Sequence, residues 1–267
     1  MNKKDVTIIF LLYKTPHKLI NSIKNYRKYK VCIFDQSNDH IIKKKIQKIL
    51  PYIKYYKVSA INKGYAYGIN HLVKHVKTKF FLCTQADVEI KLNSINKLKS
   101  TFKVKKDCII SLPIINNSKK KSNNIVETSL FYGGIFMSEK SKFLKIKSFD
   151  DNFFFYWEDV DLSERIKKSK YKIYTNLNSI CSHTYGKSTN KSIKTFLIRN
   201  VNFKFGEYLF QYKHRKLKLI KCVREPFTYL IKSILFICTL RFKVGLNKFF
   251  NFIGIMKFFY FYIKKLI

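Results

Sequence analysis

Acidic residues are scarce in this chain of 267 residues: 16 Asp and Glu stand against 54 Lys and Arg, a formal net charge of +38. So lopsided a balance excludes polycations as partners and favours polyanions: nucleic acid, an anionic bilayer or phosphorylated substrates. Part of it is codon usage, since Lys, Asn, Ile, Phe and Tyr are all abundant, as an AT-rich genome produces. The six cysteines (Cys32, Cys83, Cys108, Cys181, Cys222, Cys238) form no CxxC pair and no zinc-ligand spacing, which argues against a zinc-built fold. Four sit in apolar runs such as "VCIF" and "FFLC", where small buried residues belong, and reduced thiols in a cytoplasmic protein are expected. No apolar run reaches the ~18–20 uninterrupted residues of a confident membrane span. Val6 to Leu12 is far shorter and lacks a small-residue cleavage site, so it reads as a buried strand, not a signal. The following "YKTPHK" has no glycine, which argues against a glycine-rich phosphate loop and a nucleotidyltransferase built on one.

What is present is a folding composition, 46% hydrophobic and 16% aromatic. The first half alternates strand-like and helix-like pieces. "VTIIFLLY", "KVCIFD", "YYKVSAI" and "KFFLCTQADVEI" read as strands; "HKLINSIKNYRKY", "HIIKKKIQKILPYI" and "YAYGINHLVKHV" read as helices. That alternation predicts an α/β fold, a mostly parallel sheet flanked by helices, with ligands at the carboxyl ends of the strands. Polar clusters fall at those ends: Asp35 to Asn38, Asn62 to Gly64, and Gln85 to Asp87. Each cluster taken singly also fits an ordinary turn. Residues 116–124, "NNSKKKSNN", read as a polar loop, and "FYGGIFMSEKSKFL" as a strand and short helix whose Gly133-Gly134 pair permits close backbone approach.

The scarce acids concentrate in one place. "FFFYWEDVDLSERI" puts Glu158, Asp159, Asp161 and Glu164 within seven residues, directly after five bulky aromatics. One reading is an acid-rich helix N-terminus, with Asp161 and Arg165 paired at i, i+4 and Val160, Leu162 and Ile166 buried. The other is a catalytic carboxylate.

The order and approximate spacing of "INKGYAYGIN", "CTQADVEI", "FYGGIFMSEKSKF", "FDDNFFFYWEDVDLSERI" and "CSHTYGKS" resemble the family 2 glycosyltransferases with a GT-A fold. The nearest branch looks like the bacterial rhamnosyltransferase-type enzymes of cell-surface polysaccharide assembly. The resemblance covers residues 5–190, a catalytic domain at 1–190. It implies inverting transfer of a sugar from a nucleotide diphosphate to a hydroxyl of a glycan or lipid-linked acceptor, assisted by a divalent metal (Mg2+ or Mn2+). Carried over residue by residue, it makes Asp159 the general base and Glu158 a contact to acceptor or donor hydroxyls. Asp87 and His183 become the metal ligands, although the usual two-acid motif is here Gln85-Ala86-Asp87. Tyr13, Asp35, Asn62, Gly64, Asn70 and Asp87 form the donor side, while Trp157 offers a ring to the acceptor sugar. Leu12 and Lys14 depart from the family's usual residues beside Tyr13. The single acid left at Asp87 keeps a catalytically degenerate, binding-only relative as an alternative.

From residue 191 to 267 the chain changes character: Glu207 and Glu225 are the only acids among many cations, and aromatic apolar runs are interrupted by Lys232 and Lys257. This reads as basic amphipathic helices lying on an anionic membrane surface, which would place the protein peripherally at the cytoplasmic face. The alternative is a helical bundle packed on the domain with its lysines solvated. A nucleic-acid-binding protein would interleave aromatics with cations on an exposed face, whereas here most aromatics lie in apolar runs.

Overall fold

The computed structural model describes residues 5–53, 55–116, 125–184 and 192–266. The chain divides into two compact units, Met1–Asp151 with Asp159–Asn190, and Asn152–Glu158 with Lys191–Ile267. The first is a mixed α/β unit. Its strands β1 (Val6–Leu12), β2 (Lys30–Asp35), β3 (Tyr55–Val58) and β4 (Phe80–Thr84) pair in parallel in the order β3-β2-β1-β4. Helices α1 (His40–Ile49) and α2 (Tyr65–His75) make crossovers between them.

The segment His17–Tyr26, expected as an α-helix, is a 3-10 helix. Its buried residues Ile20, Ile23 and Tyr26 recur every third position, the period of that tighter helix. In α1 the buried Ile42, Ile46 and Ile49 keep ordinary α spacing, and the Asp39 side chain caps the helix by accepting from the Ile41 and Ile42 N–H groups.

"KFFLCTQADVEI", expected as one strand, is two. A turn closed by Val88 N–H donating to the Gln85 carbonyl (3.1 Å) ends β4 and starts β5 (Val88–Ile90). The two halves part: β4 pairs with β1, β5 with the distant β9 (Lys172–His183). The polar Gln85-Ala86-Asp87 stretch therefore sits on a turn at the carboxyl edge. Beyond β4 the sheet continues through β8 (Phe136–Glu139), antiparallel to β4, then β6 (Cys108–Ile115), β9 and β5, with β7 (Ile125–Thr128) also on β9.

Helices α3 (Leu92–Val104), α4 (Lys140–Lys145) and, from its second residue, α5 (Glu158–Lys167) complete the unit. Alternation along β1 builds two cores: Ile8 and Phe10 join one apolar cluster, while Ile9 joins another with Phe34, Phe81 and Leu162. The expected Asp161–Arg165 pair forms at 2.9 Å, and the Arg165 guanidinium also donates to the carbonyls of Ile146 (2.5 Å) and Ser148 (2.6 Å). This pins α5 to the chain after α4. The four strand cysteines are buried, and burial pushes the Cys32 and Cys181 thiols up to about 11, so they are inert.

The second unit is helical. Helices α6 (Ile193–Lys213) and α7 (Leu219–Cys238) each pack on α8 (Phe242–Leu266). A capping box between Ser192 and Thr195 starts α6. Both acids of the region are turned inward: Lys204 Nζ lies 2.8 Å from Glu207 and 3.0 Å from Glu225, and Lys221 Nζ lies 2.5 Å from Glu207. Burial raises the Glu207 carboxyl, but the hydrogen bonds from Lys204 and Lys221 outweigh it and hold the group below the usual carboxylate range. Lys257 does not project away as expected of an interfacial lysine. Its ammonium turns in to donate to Asn202 Oδ1 (2.7 Å) above the Phe205 ring, and burial lowers its pKa. No helix among the described residues is long and apolar enough to cross a membrane.

Candidate active site

Four parallel strands aim their carboxyl ends at one edge, and the first unit's candidate residues gather there. Gln36 N–H donates to the Leu12 carbonyl and Ser59 N–H to the Asp35 carbonyl, so the loops after β1, β2 and β3 are tied side by side. Gln36, not singled out from the sequence, clamps the Asn62-Lys63-Gly64 loop. Its amide donates to the Gly64 carbonyl (3.0 Å) and accepts from Lys63 N–H (2.8 Å). Asn62 closes the same loop by accepting from Gly64 N–H (2.9 Å), and Gly64 has φ 96°, where a side chain would be strained. Asn62 and Gly64 thus shape a backbone loop at the start of α2.

Asp35 is fully buried at the end of β2. One oxygen accepts from the Ser37 N–H (2.9 Å) and hydroxyl (2.5 Å); the other accepts no hydrogen bond among the described residues. Burial raises its pKa despite the Ser37 bonds. Tyr13 lies just past β1 beneath the Lys14 ammonium, 5.8 Å from its ring. Asn70, read from the sequence as a donor contact, is engaged within the unit. Its amide donates to the Phe149 carbonyl (2.8 Å) and Asp151 (2.6 Å) and accepts from Phe149 N–H (3.2 Å). These bonds use the side chain to tie α2 to the segment before residue 152, a scaffolding role.

Asp87 and His183 are brought together. They come from the β4–β5 turn and the last residue of β9, and Val88 stands in register with His183. Asp87 Oδ2 lies 3.4 Å from His183 Nε2, with both side chains almost completely buried. Neither Asp87 oxygen accepts a hydrogen bond among the described residues. Two ligands bound side by side to one cation at about 2.1 Å each stand about 3 Å apart, so the pair fits a divalent ion. No third His, Cys, Asp or Glu joins them among the described residues, so any remaining positions on such an ion would fall to a bound ligand or water. Asn116 positions His183: its amide donates to the His183 carbonyl (2.9 Å) and accepts the His183 N–H (2.8 Å). The Tyr185-Gly-Lys-Ser188 end of that motif, and all of the expected loop 116–124 except Asn116, lie outside the described residues.

Asp159 is held by backbone alone. Oδ2 accepts from Gly133 N–H (3.0 Å) and Oδ1 from Val160 N–H (2.9 Å) in the first turn of α5. Burial raises its pKa above the ordinary carboxylate value even though both backbone bonds oppose the rise. It is half-buried, which leaves it reachable. Of the glycine pair, Gly134 is the one where a side chain would clash. A Cβ on Gly133 would lie 3.4 Å from Asp159 Oδ2, and one on Gly134 would collide with the Tyr132 ring at 2.3 Å. The Tyr65 hydroxyl donates to the Gly133 carbonyl, and the Tyr132 ring centroid lies 5.8 Å from that of His183. One dipeptide, Tyr132-Gly133, therefore joins the Asp87–His183 pair to Asp159. The motif "FYGG" was read only for backbone approach; its tyrosine, and Tyr65 in "INKGY", are the supporting residues that reading missed.

Trp157 and Glu158 belong to the second unit. Tyr156 and Trp157 both have φ 71°, a left-handed pair rare for bulky residues. The Trp157 ring packs between Phe203 and Phe210 of α6, and a Cβ on Gly206 would come within 2.9 Å of it. Its half-buried ring is a packing element of the helical unit. Glu158 opens α5 and is buried. A cavity of about 860 Å3 also exists in the first unit, but Thr7, Lys30 and Val31 line it, at the opposite ends of β1 and β2 from the carboxylates.

Parallel strands feeding acids to one edge, followed by an antiparallel continuation, define a GT-A type α/β fold. Two solved glycosyltransferases share it. A mannosyltransferase from Pyrobaculum calidifontis, in complex with GDP-Man and Mn2+, superposes with TM-score 0.61 at 10% identity, covering 97% of this chain and 88% of that one. GalNAc-T7 with UDP, GalNAc and Mn2+ gives TM-score 0.58 at 12% identity, covering 76% of this chain and 47% of that one, about half its length. The family model for glycosyl transferase family 2 matches residues 11–165, and the chain belongs to that family. No protein among curated sequences matches it.

Proposed function

We propose that the chain is an inverting glycosyltransferase of the hexosyltransferase type, moving a sugar from a nucleotide diphosphate to an acceptor hydroxyl. The observation that carries this reading is the joined pair of sites: Asp87 facing His183 at 3.4 Å, and Asp159 on the neighbouring Gly133. The two titratable clusters suit two halves of one displacement. Asp159, made more basic by burial, accepts the acceptor hydroxyl's proton as that oxygen attacks the anomeric carbon from the face opposite the leaving group. Gly133 N–H and the α5 N-terminus orient its carboxylate. A divalent cation, Mg2+ or Mn2+, held by Asp87 and His183 would offset the charge of the departing nucleotide diphosphate. The two structural neighbours' Mn2+ supports that choice. Asp35, Tyr13 and the Gln36-clamped Asn62–Gly64 loop would receive the nucleoside. Glu158 would meet sugar hydroxyls.

The motif order supports a place near the rhamnosyltransferase-type enzymes of cell-surface polysaccharide assembly, with a glycan or lipid-linked acceptor at the cytoplasmic face of a membrane. A binding-only relative is the second reading, favoured by Gln85 where the family usually has a first acid. Screening purified protein against nucleotide sugars, with and without Mn2+, and scoring donor hydrolysis separates the two. Metal-stimulated hydrolysis of one donor supports the transferase; binding without turnover of any donor supports the second reading.

A further inference from the structure

The helical unit carries a surface that sugar transfer does not use. Ile220, Val223, Phe227, Ile231 and Ile234 follow one another along α7 at steps of three or four residues, and every one is more than half exposed. At 100° per residue they form a single stripe on the face turned away from α8. The buried Pro226 and Ser233 mark the opposite, packed face. Leu240 (77% exposed) and Phe242 (56%) extend the apolar surface around the α7–α8 corner. A continuous stripe of about 21 Å, from Ile220 to Ile234, exceeds the scattered exposed apolar residues of an ordinary surface.

Charge selects the occupant. Lys218, Arg224, Lys232, Arg241 and Lys243 are exposed around the stripe. The only acids of residues 191–267, Glu207 and Glu225, face Lys204 and Lys221 inside the bundle and do not offset this charge. A protein partner would have to be apolar along one line and acidic on both sides of it. An anionic bilayer offers both, an acyl phase under a negatively charged headgroup layer.

We propose that the outer face of α7, with the α7–α8 corner, is a docking surface for anionic lipid bilayers, with the helix lying in the plane of the interface. This gives the membrane partner of the functional reading a specific surface, and it rests on that reading only for its biological purpose. In-plane docking agrees with the lack of any spanning helix among the described residues.

The test is flotation of the full chain with phosphatidylglycerol-containing vesicles and with pure phosphatidylcholine vesicles, at low and high salt. Wild type should float with the anionic vesicles, partly releasing at high salt because cations are screened and apolar insertion is not. Phe227→Glu with Ile231→Glu should cut vesicle binding at least about tenfold while helix content by circular dichroism is unchanged. Arg224→Glu with Lys232→Glu should abolish the preference for anionic over neutral vesicles. Ile41→Glu, at an exposed apolar position on α1, should bind as wild type does. Failure of wild type to float at low salt overturns the proposal. So does undiminished binding by the Phe227/Ile231 variant, or a wild-type dimer that this variant dissociates without lipid. Donor hydrolysis measured without vesicles keeps the two readings apart: flotation without hydrolysis sinks the transferase alone, and hydrolysis without flotation sinks the docking surface alone.

Discussion

The helical unit and the carboxyl edge of the α/β sheet treat their carboxylates in opposite ways, although acids elsewhere in the α/β unit, such as Asp5 with Lys99 and Glu127 with Lys172, are ion-paired. In the helical unit, Glu207 and Glu225 are each met by lysines at 2.5–3.0 Å, in a cluster that closes on itself. In the α/β unit, Asp35, Asp87 and Asp159 make no ion pair with Lys or Arg among the described residues, although the chain has 54 such cations to offer. Asp161, two residues from Asp159, does have its Arg165. Neutralised acids here hold structure, while the acids left to backbone N–H groups or a histidine are those to which the proposed function assigns chemistry and ligand.

That contrast can be broken at several points. The largest effect should come from Lys204→Met, which strips one cation from two inward-facing carboxylates and should cost about 3–5 kcal/mol of stability in urea unfolding. A loss below about 1 kcal/mol would mean the cluster is solvated and the contrast false. Next, Asp159→Asn should slow transfer about 100-fold or more, yet leave stability at neutral pH equal or higher. The sign follows from the raised pKa. Folding disfavours the ionised form, so the cost is present above the folded pKa and relieved as pH falls through it. Glu207 runs the other way. Its depressed pKa contributes stability above the unfolded value that is lost as pH falls through the folded one. Glu207→Gln should therefore flatten the acid limb of the stability profile, and Asp159→Asn should not. The smallest effect is expected from Asn116→Ala, which frees the His183 backbone and should weaken cation affinity about tenfold with nucleotide-free stability changed by only ~1 kcal/mol.

Much of this was legible in the residues. Continuous apolar runs such as Val6–Leu12 announced strands buried on both faces, and residues rich in Asp, Asn and Gln announced where those strands end. The acid cluster announced α5, because charge that dense in so basic a chain needs a reason. What stayed hidden depends on long-range contact. Nothing local in "KFFLCTQADVEI" says that β5 leaves β4 to pair with β9. Nothing local in Asn70 says that its amide is engaged 79 residues away by Phe149. The packing of Trp157 on α6 was hidden too, because Gly206, the residue that lets α6 approach it, lies far down the chain. Lys257 broke an apolar run and so suggested an interface, whereas its ammonium finds Asn202 inside the bundle.

The central claim is that the unneutralised acids divide labour, Asp87 with His183 for the cation and diphosphate, Asp159 for the acceptor's proton. Calorimetric titration of UDP, GDP and TDP into the full chain, with and without Mn2+, tests it most directly. One nucleotide diphosphate should bind only with Mn2+, Asp87→Asn and His183→Ala should each lose that binding by tenfold or more, on the order seen for disrupted metal sites, and Asp159→Asn should keep it. Metal-independent binding that Asp87→Asn leaves intact, or binding lost in Asp159→Asn, would contradict the account.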